Sequence, residues 1–225
     1  MRTTRDITPS PIKHTHVSGS SLPMGRPSSP EDWWRTACFV TPNLLVSGDL
    51  DSSSLAVFSK QLSHLVELGV TDIIDVRAEA SDEDLVSRLQ ADITYHHIAT
   101  DDDGYARPDA WFESGVTAAV SALSKEGRKV FVHCHMGVNR APSLTFAIML
   151  ALGYSPVESL SAIRTARPIA ALIYAPDALA WWHRYSGTTA GQANAEQREV
   201  ADWMRAHPID TNWVISRIAN ARSWS

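Results

Sequence analysis

Apolar residues change their spacing several times along this chain, and each change marks a predicted element. From Ser54 to Gly69, Leu55, Phe58, Leu62, Leu65, Val66 and Leu68 approximate one face of a helix, with Gly69 as its stop. The next stretch, VTDIIDV, has the β-branched density of a buried strand. Upstream, CFVTPNLLVSG (38–48) predicts two short strands around a Thr-Pro-Asn turn. A short helix is expected from Ser81 to Leu89, with acidic residues in its first turn. ITYHHIA alternates as a strand does, and TDDDGYARPD after it reads as a polar loop.

The helical period returns from Trp111 to Ser124, with Phe112, Val116, Ala119, Val120 and Leu123 facing inward. KVFVHC is a strand, and Ser143 to Leu152 an almost wholly apolar helix ended by Gly153. Ser155 caps another helix, with Pro156 at its first position and Glu158 at its third. Asp177 to Tyr185 adds one more. Strands alternating with helices predict an α/β domain over residues 33–185, a central, mostly parallel twisted sheet flanked by helices.

Residues 1–32 are rich in Ser, Thr, Pro and basic side chains without apolar periodicity, and are expected to form a flexible tail. At the other end, SGTTAGQ (186–192) reads as a linker. Asn194 with Gln197 then reads as a capping pair for a helix carrying Val200, Trp203 and Met204. Pro208 interrupts, and Asp210 to Trp224 forms a last helix. This extension, 186–225, is expected to pack on the domain, because about 35 residues bury too little surface alone.

Composition narrows the function. The 225 residues include 44% hydrophobic and 20% charged side chains, and the net charge of −5 offers no field to attract nucleic acid or acidic membranes. Two cysteines, Cys38 and Cys134, cannot build a disulfide framework or a zinc pair, so a reducing compartment is expected. With no apolar leader and no run near the roughly 18 apolar residues of a membrane span, the expected location is the cytoplasm. His96 and His97 are read as strand residues rather than ligands, and neither metal nor cofactor is expected. The eight tryptophans read mostly as core and surface packing, with Trp181 and Trp182 near the candidate site as the candidates for a substrate groove.

The candidate chemistry lies in VHCHMGVNRAPS (132–143), between a strand and a helix. Amides at a helix N-terminus lack intrahelical partners and carry partial positive charge, so those of residues 135–140 can form an anion nest. Gly137 admits backbone angles that a side chain would obstruct. The same field should lower the pKa of Cys134 and make it a nucleophile. Arg140 offers a planar fork for two phosphate oxygens. In-line attack by a thiolate would give a phosphocysteine that water then cleaves, with an acid on a nearby loop protonating the leaving oxygen.

At these residues the chain resembles the cysteine-dependent protein tyrosine phosphatases, in their dual-specificity branch, whose signature is His-Cys-x-x-Gly-x-x-Arg. His133, Cys134, Gly137 and Arg140 fill its fixed places, and the likeness covers about residues 40 to 185. It implies a phosphatase fold, catalytic Cys134 and Arg140, and a phosphate loop of His135, Met136, Gly137, Val138, Asn139 and Arg140. It also implies a buried, hydrogen-bonded His133 supporting the loop and thiolate. The family's general acid is an aspartate upstream of the nucleophile; counting back 32 residues from Cys134 reaches Asp102, with Asp101 and Asp103 as rivals.

Two features depart from the family pattern. Ala141 stands where a Ser or Thr hydroxyl usually helps the cysteine leave, which implies slow hydrolysis of the intermediate; Ser143 is a partial substitute or, preferentially, a helix cap. The segment IAALIYAPDALAWW replaces the family's Pro-Asn segment. The expected substrate is a phosphorylated protein, phosphotyrosine first and phosphoserine or phosphothreonine after it, or a small phosphomonoester. The loop lacks the lysines that suit phosphoinositide head groups. Alternatives are an RNA 5′-triphosphatase, suggested by Asn139 before Arg140 but opposed by the acidic balance, and a phosphate-binding pseudophosphatase with little turnover.

Overall fold

The computed structural model of the chain describes residues 33–90 and 92–222. The expected tail and the end of the expected last helix lie outside the described residues. Five strands form one sheet: β1 (Cys38–Thr41), β2 (Leu44–Ser47), β3 (Asp72–Arg77), β4 (Thr94–Thr100) and β5 (Val130–His133), in the order β1-β2-β5-β3-β4. β1 and β2 are antiparallel, and all other neighbours are parallel.

Side-chain alternation divides the core in two. Leu44 and Val46, Ile74 and Val76, and Val130 and Val132 face one layer, while Leu45, Ile73 and Phe131 face the other. The second layer is covered by α1 (Leu55–Glu67) through Phe58, Leu62 and Leu65, and by α2 (Glu83–Leu89) through Val86. The first is covered by α3 (Asp109–Leu123), α4 (Arg140–Ala151), α5 (Pro156–Ala166) and α6 (Ala175–Ser186). Every residue of α4 from Arg140 to Leu150 is buried, which explains its nearly unbroken apolar sequence: a helix surrounded by protein has no wet face. Burial of each large apolar side chain contributes about 1.5–3 kcal/mol, so α4 is the anchor of the loop that precedes it.

Three of the element boundaries are instructive. α4 begins at Arg140, three residues before the apolar run that opens at Ser143, with Pro142 in the first turn, where a missing N–H breaks no intrahelical bond. α7 (Ala190–Ala206) begins four residues before its expected cap Asn194, and is capped by Thr189, whose hydroxyl accepts from the Gln192 amide at 3.4 Å. Asn194 and Gln197 are therefore interior to α7, and the linker shrinks to the turn at Gly187, whose φ of 69° ends α6. α2 begins at Glu83, and the preceding Asp82 makes no cap bond because its carboxylate is turned to Arg77.

α7 packs Val200, Trp203 and Met204 on the main core. α8 (Thr211–Arg222) sends Val214 and Ile218 into a small cluster with Trp34, Val138 and Ala171. Among the described residues no helix is long and apolar enough to cross a membrane.

Candidate active site

The four parallel strands end on one side of the sheet, and the polar residues that follow them meet there: Asp49 after β2, Glu79 after β3, Asp102 after β4 and Cys134 after β5. Ligand sites in open α/β sheets form at such carboxyl ends. β5 lies centrally, so its loop has charged neighbours on both sides.

The loop's shape can be read from its carbonyl groups, each of which needs a donor if buried. His135 O accepts from the Asp49 amide at 3.1 Å, and Val138 O from the Ala171 amide at 2.8 Å. Asn139 O accepts from Ser143 N at 2.9 Å. The remaining two, Met136 O and Gly137 O, accept from the buried guanidinium of Arg167 at 2.9 and 2.6 Å, and that group also donates to Trp34 O at 2.6 Å. Five successive carbonyls are thus satisfied by groups outside the loop's inner face. Gly137 adopts φ 63°, and a Cβ there would sit 2.5 Å from Arg167 Nη2 and Ser47 C. Only glycine permits that approach without displacing backbone.

Cys134 is buried at the foot of this loop, its Sγ accepting from the Gly137 amide at 3.2 Å. Burial pushes its thiol above the ordinary range, although Arg140 and the amides of Ala141 and Gly137 pull it down. The direction is opposite to the lowering expected from the sequence. The reason is that desolvation of the buried sulfur outweighs those groups, with the Asp102 charge adding to it. The Arg140 charge is itself answered. Its Nη1 and Nη2 donate to the two oxygens of Glu79 at 2.7 Å each, and Nη1 also donates to Thr100 O at 3.0 Å. Asp102 Oδ2 lies 3.6 Å from its Nε. These bonds hold the Glu79 carboxyl at about 2.

His133 is fully buried on β5 and stacks on Phe131, at 5.4 Å between ring centroids. Among the described residues neither ring nitrogen has a hydrogen-bond partner, in contrast to the hydrogen-bonded histidine expected. Asp75, 3.9 Å from Nε2, has its acceptor capacity taken by Arg77 and Tyr95. Burial pushes the His133 imidazole below its usual value and keeps it neutral. His135, at the rim, places Nδ1 3.2 Å from Asp49 Oδ2. Ser143 is not a cap: its buried hydroxyl accepts from the Tyr174 amide at 3.3 Å. Ala141 is buried with no hydroxyl to offer the sulfur.

The three aspartates separate cleanly. Asp102 faces Arg140 and accepts from the Tyr174 hydroxyl at 2.8 Å. Asp103 pairs with Arg107 and accepts from the Tyr105 amide at 3.0 Å. Asp101 contributes its carbonyl, which accepts from Arg107 at 2.7 Å. Trp181 is core, stacked on Phe112 at 5.9 Å, so it lines no groove.

Sequence reading did not single out Glu79, Arg167, Tyr174 or Asp49. Glu79 and Asp49 had a usable signal, since each follows a predicted parallel strand at its carboxyl end. Arg167 and Tyr174 had none, because their partners are about 30 and 72 residues away.

Residues 55–172 match the family described as "Dual specificity phosphatase, catalytic domain". The chain belongs to that family. A curated relative, human dual specificity protein phosphatase 13B, is 26% identical over 117 residues, which cover 51% of this chain and 59% of the relative. The chain thus spans about three fifths of that relative's length. Among solved dual-specificity folds, a human DUSP28 variant superposes with a TM-score of 0.56 at 18% identity, over 68% of this chain and 98% of its own. A mouse dual specificity phosphatase complexed with zinc tungstate gives 0.55 at 20% identity, over 79% and 97%. PTPMT1 in complex with PI(5)P gives 0.54 at 16% identity, over 66% and 95%. At these identities the superpositions establish the fold: a parallel-centred phosphatase sheet with flanking helices.

Proposed function

We propose that the chain is a cysteine-dependent phosphatase that hydrolyses phosphomonoesters in proteins, phosphotyrosine foremost, through a phosphocysteine. The observation that carries this reading is the loop from His135 to Arg140: five carbonyls are held outward, and Cys134 Sγ sits on an inward amide. Such a cradle binds a dianion and strengthens its grip as charge moves onto the equatorial oxygens. Arg140 completes it by exchanging Glu79 for phosphate oxygens. Asp102, beside Arg140, protonates the leaving oxygen as the S–P bond forms.

Ala141 points to slow hydrolysis of the phosphocysteine, because no hydroxyl stabilises the departing sulfur. PTPMT1 is a neighbour bound to a phosphoinositide. In this chain the loop's variable residues His135, Met136, Val138 and Asn139 include no lysine, and the rim adds the carboxylates of Glu79 and Asp102. A polyanionic head group is disfavoured there relative to a single phosphomonoester.

The test is rapid-mixing hydrolysis of p-nitrophenyl phosphate and a phosphotyrosine peptide, with Cys134→Ser beside the native chain. A burst of one phenolate per chain followed by a slower steady state is expected, with both phases absent in the variant. Undiminished turnover by Cys134→Ser sinks the proposal.

A further inference from the structure

Tyr174 lies in the segment that departs from the family pattern, yet it touches the acid loop and the start of α4 together. The chain reaches it through Leu172, whose φ of 56° is a left-handed conformation that a branched side chain adopts only when its surroundings impose it. Those surroundings are the Ala171 and Leu172 amides, which donate to Val138 O of the phosphate loop. Tyr174 then donates its own amide to Ser143 Oγ at 3.3 Å, its hydroxyl to Asp102 Oδ1 at 2.8 Å, and accepts the Gly104 amide at 3.1 Å. The Arg107 guanidinium lies 4.9 Å above its ring and donates to Asp101 O and Tyr105 O. The side chain is 1% exposed.

We propose that Tyr174 is the positioning residue of the proton donor: by occupying Oδ1 of Asp102, it confines the transferable proton to Oδ2, the oxygen that faces Arg140 and the phosphate loop. This rests on Asp102 being the acid. In the step, Cys134 sulfur bonds phosphorus and the ester P–O bond breaks. The leaving oxygen keeps that electron pair and takes the Oδ2 proton. Asp102 ends as carboxylate, and Tyr174 remains protonated throughout. Burial pushes its hydroxyl up to about 12, which keeps it a donor.

An acid matters only for a poor leaving group, so a series from phenyl phosphate to 2,4-dinitrophenyl phosphate separates positioning from loosening. Tyr174→Phe keeps the ring over which Arg107 lies. It should reduce kcat/KM for phenyl phosphate about tenfold and leave the dinitrophenyl ester nearly unchanged. Asp102→Asn should give the same pattern with a larger loss, and the double variant should lose nothing beyond Asp102→Asn. A uniform loss across the series in Tyr174→Phe, or none, overturns the proposal alone. A flat series in Asp102→Asn overturns the acid assignment and this proposal with it.

Discussion

Two buried arginines beside the sheet grip carboxylates in forks, and they differ in where those carboxylates come from. Arg77 draws its partners from its own strand end: Nε and Nη2 donate to Asp75 at 2.9 and 2.7 Å, and Nη2 donates to Asp82 at 2.6 Å. All three side chains are within 4% of full burial, and Tyr95 closes the group from β4. Ligand atoms of Asp75, Asp82 and His133 approach within 4.8 Å of one another, and the positive charge among them is Arg77's own. Arg140 is equally buried, but Glu79 is 46% and Asp102 32% exposed. A carboxylate with water at its back can leave; one without it cannot, since release would strand a dry charge. The same fork is therefore a permanent brace at Arg77 and an exchangeable grip at Arg140.

Substitutions should split along that line. The largest effect belongs to Arg140→Lys, which keeps the charge and loses the fork. We expect kcat/KM to fall about a thousandfold with little change in melting temperature; a large stability loss with normal catalysis would invert the comparison. Next comes Arg77→Met, which fills the space but leaves two buried carboxylates unpaired. Urea unfolding should show about 3 kcal/mol less stability, while KM of the folded fraction stays near native. The smallest effect sharpens the contrast at the open site. Glu79→Gln removes the charge that answers Arg140, so the Cys134 thiol should titrate lower. Because burial holds that pKa high, alkylation by iodoacetamide rises with pH; the variant's curve should shift toward acid by about half a unit, roughly threefold faster alkylation below its midpoint. An unmoved curve would show that Glu79 does not govern the thiol.

Legibility in the sequence followed the range of the interactions. Local period and punctuation placed the strands and most helices, because the β-branched run of β3, the alternation of β4 and the apolar face of α1 are written within a few residues. The phosphate loop was legible for the same reason, its fixed residues lying within eight positions. Helix starts were less so: Thr189 caps α7 in place of Asn194, a competition between neighbouring cap signals. The state of the thiol was not legible at all. It depends on how deeply the assembled fold buries the sulfur and on Asp102, 32 residues away, neither of which leaves a local trace.

Arg167 and α8 bear on what counts as the working unit. The family match spans residues 55–172, yet the loop's carbonyls are held by a guanidinium that also needs Trp34 O, and Val138 is packed under Val214 and Ile218. The inherited segment is therefore smaller than the one that can hold its own active site in shape. Any exchange of modules between relatives at the boundaries of the match would carry the signature across while leaving part of its mould behind.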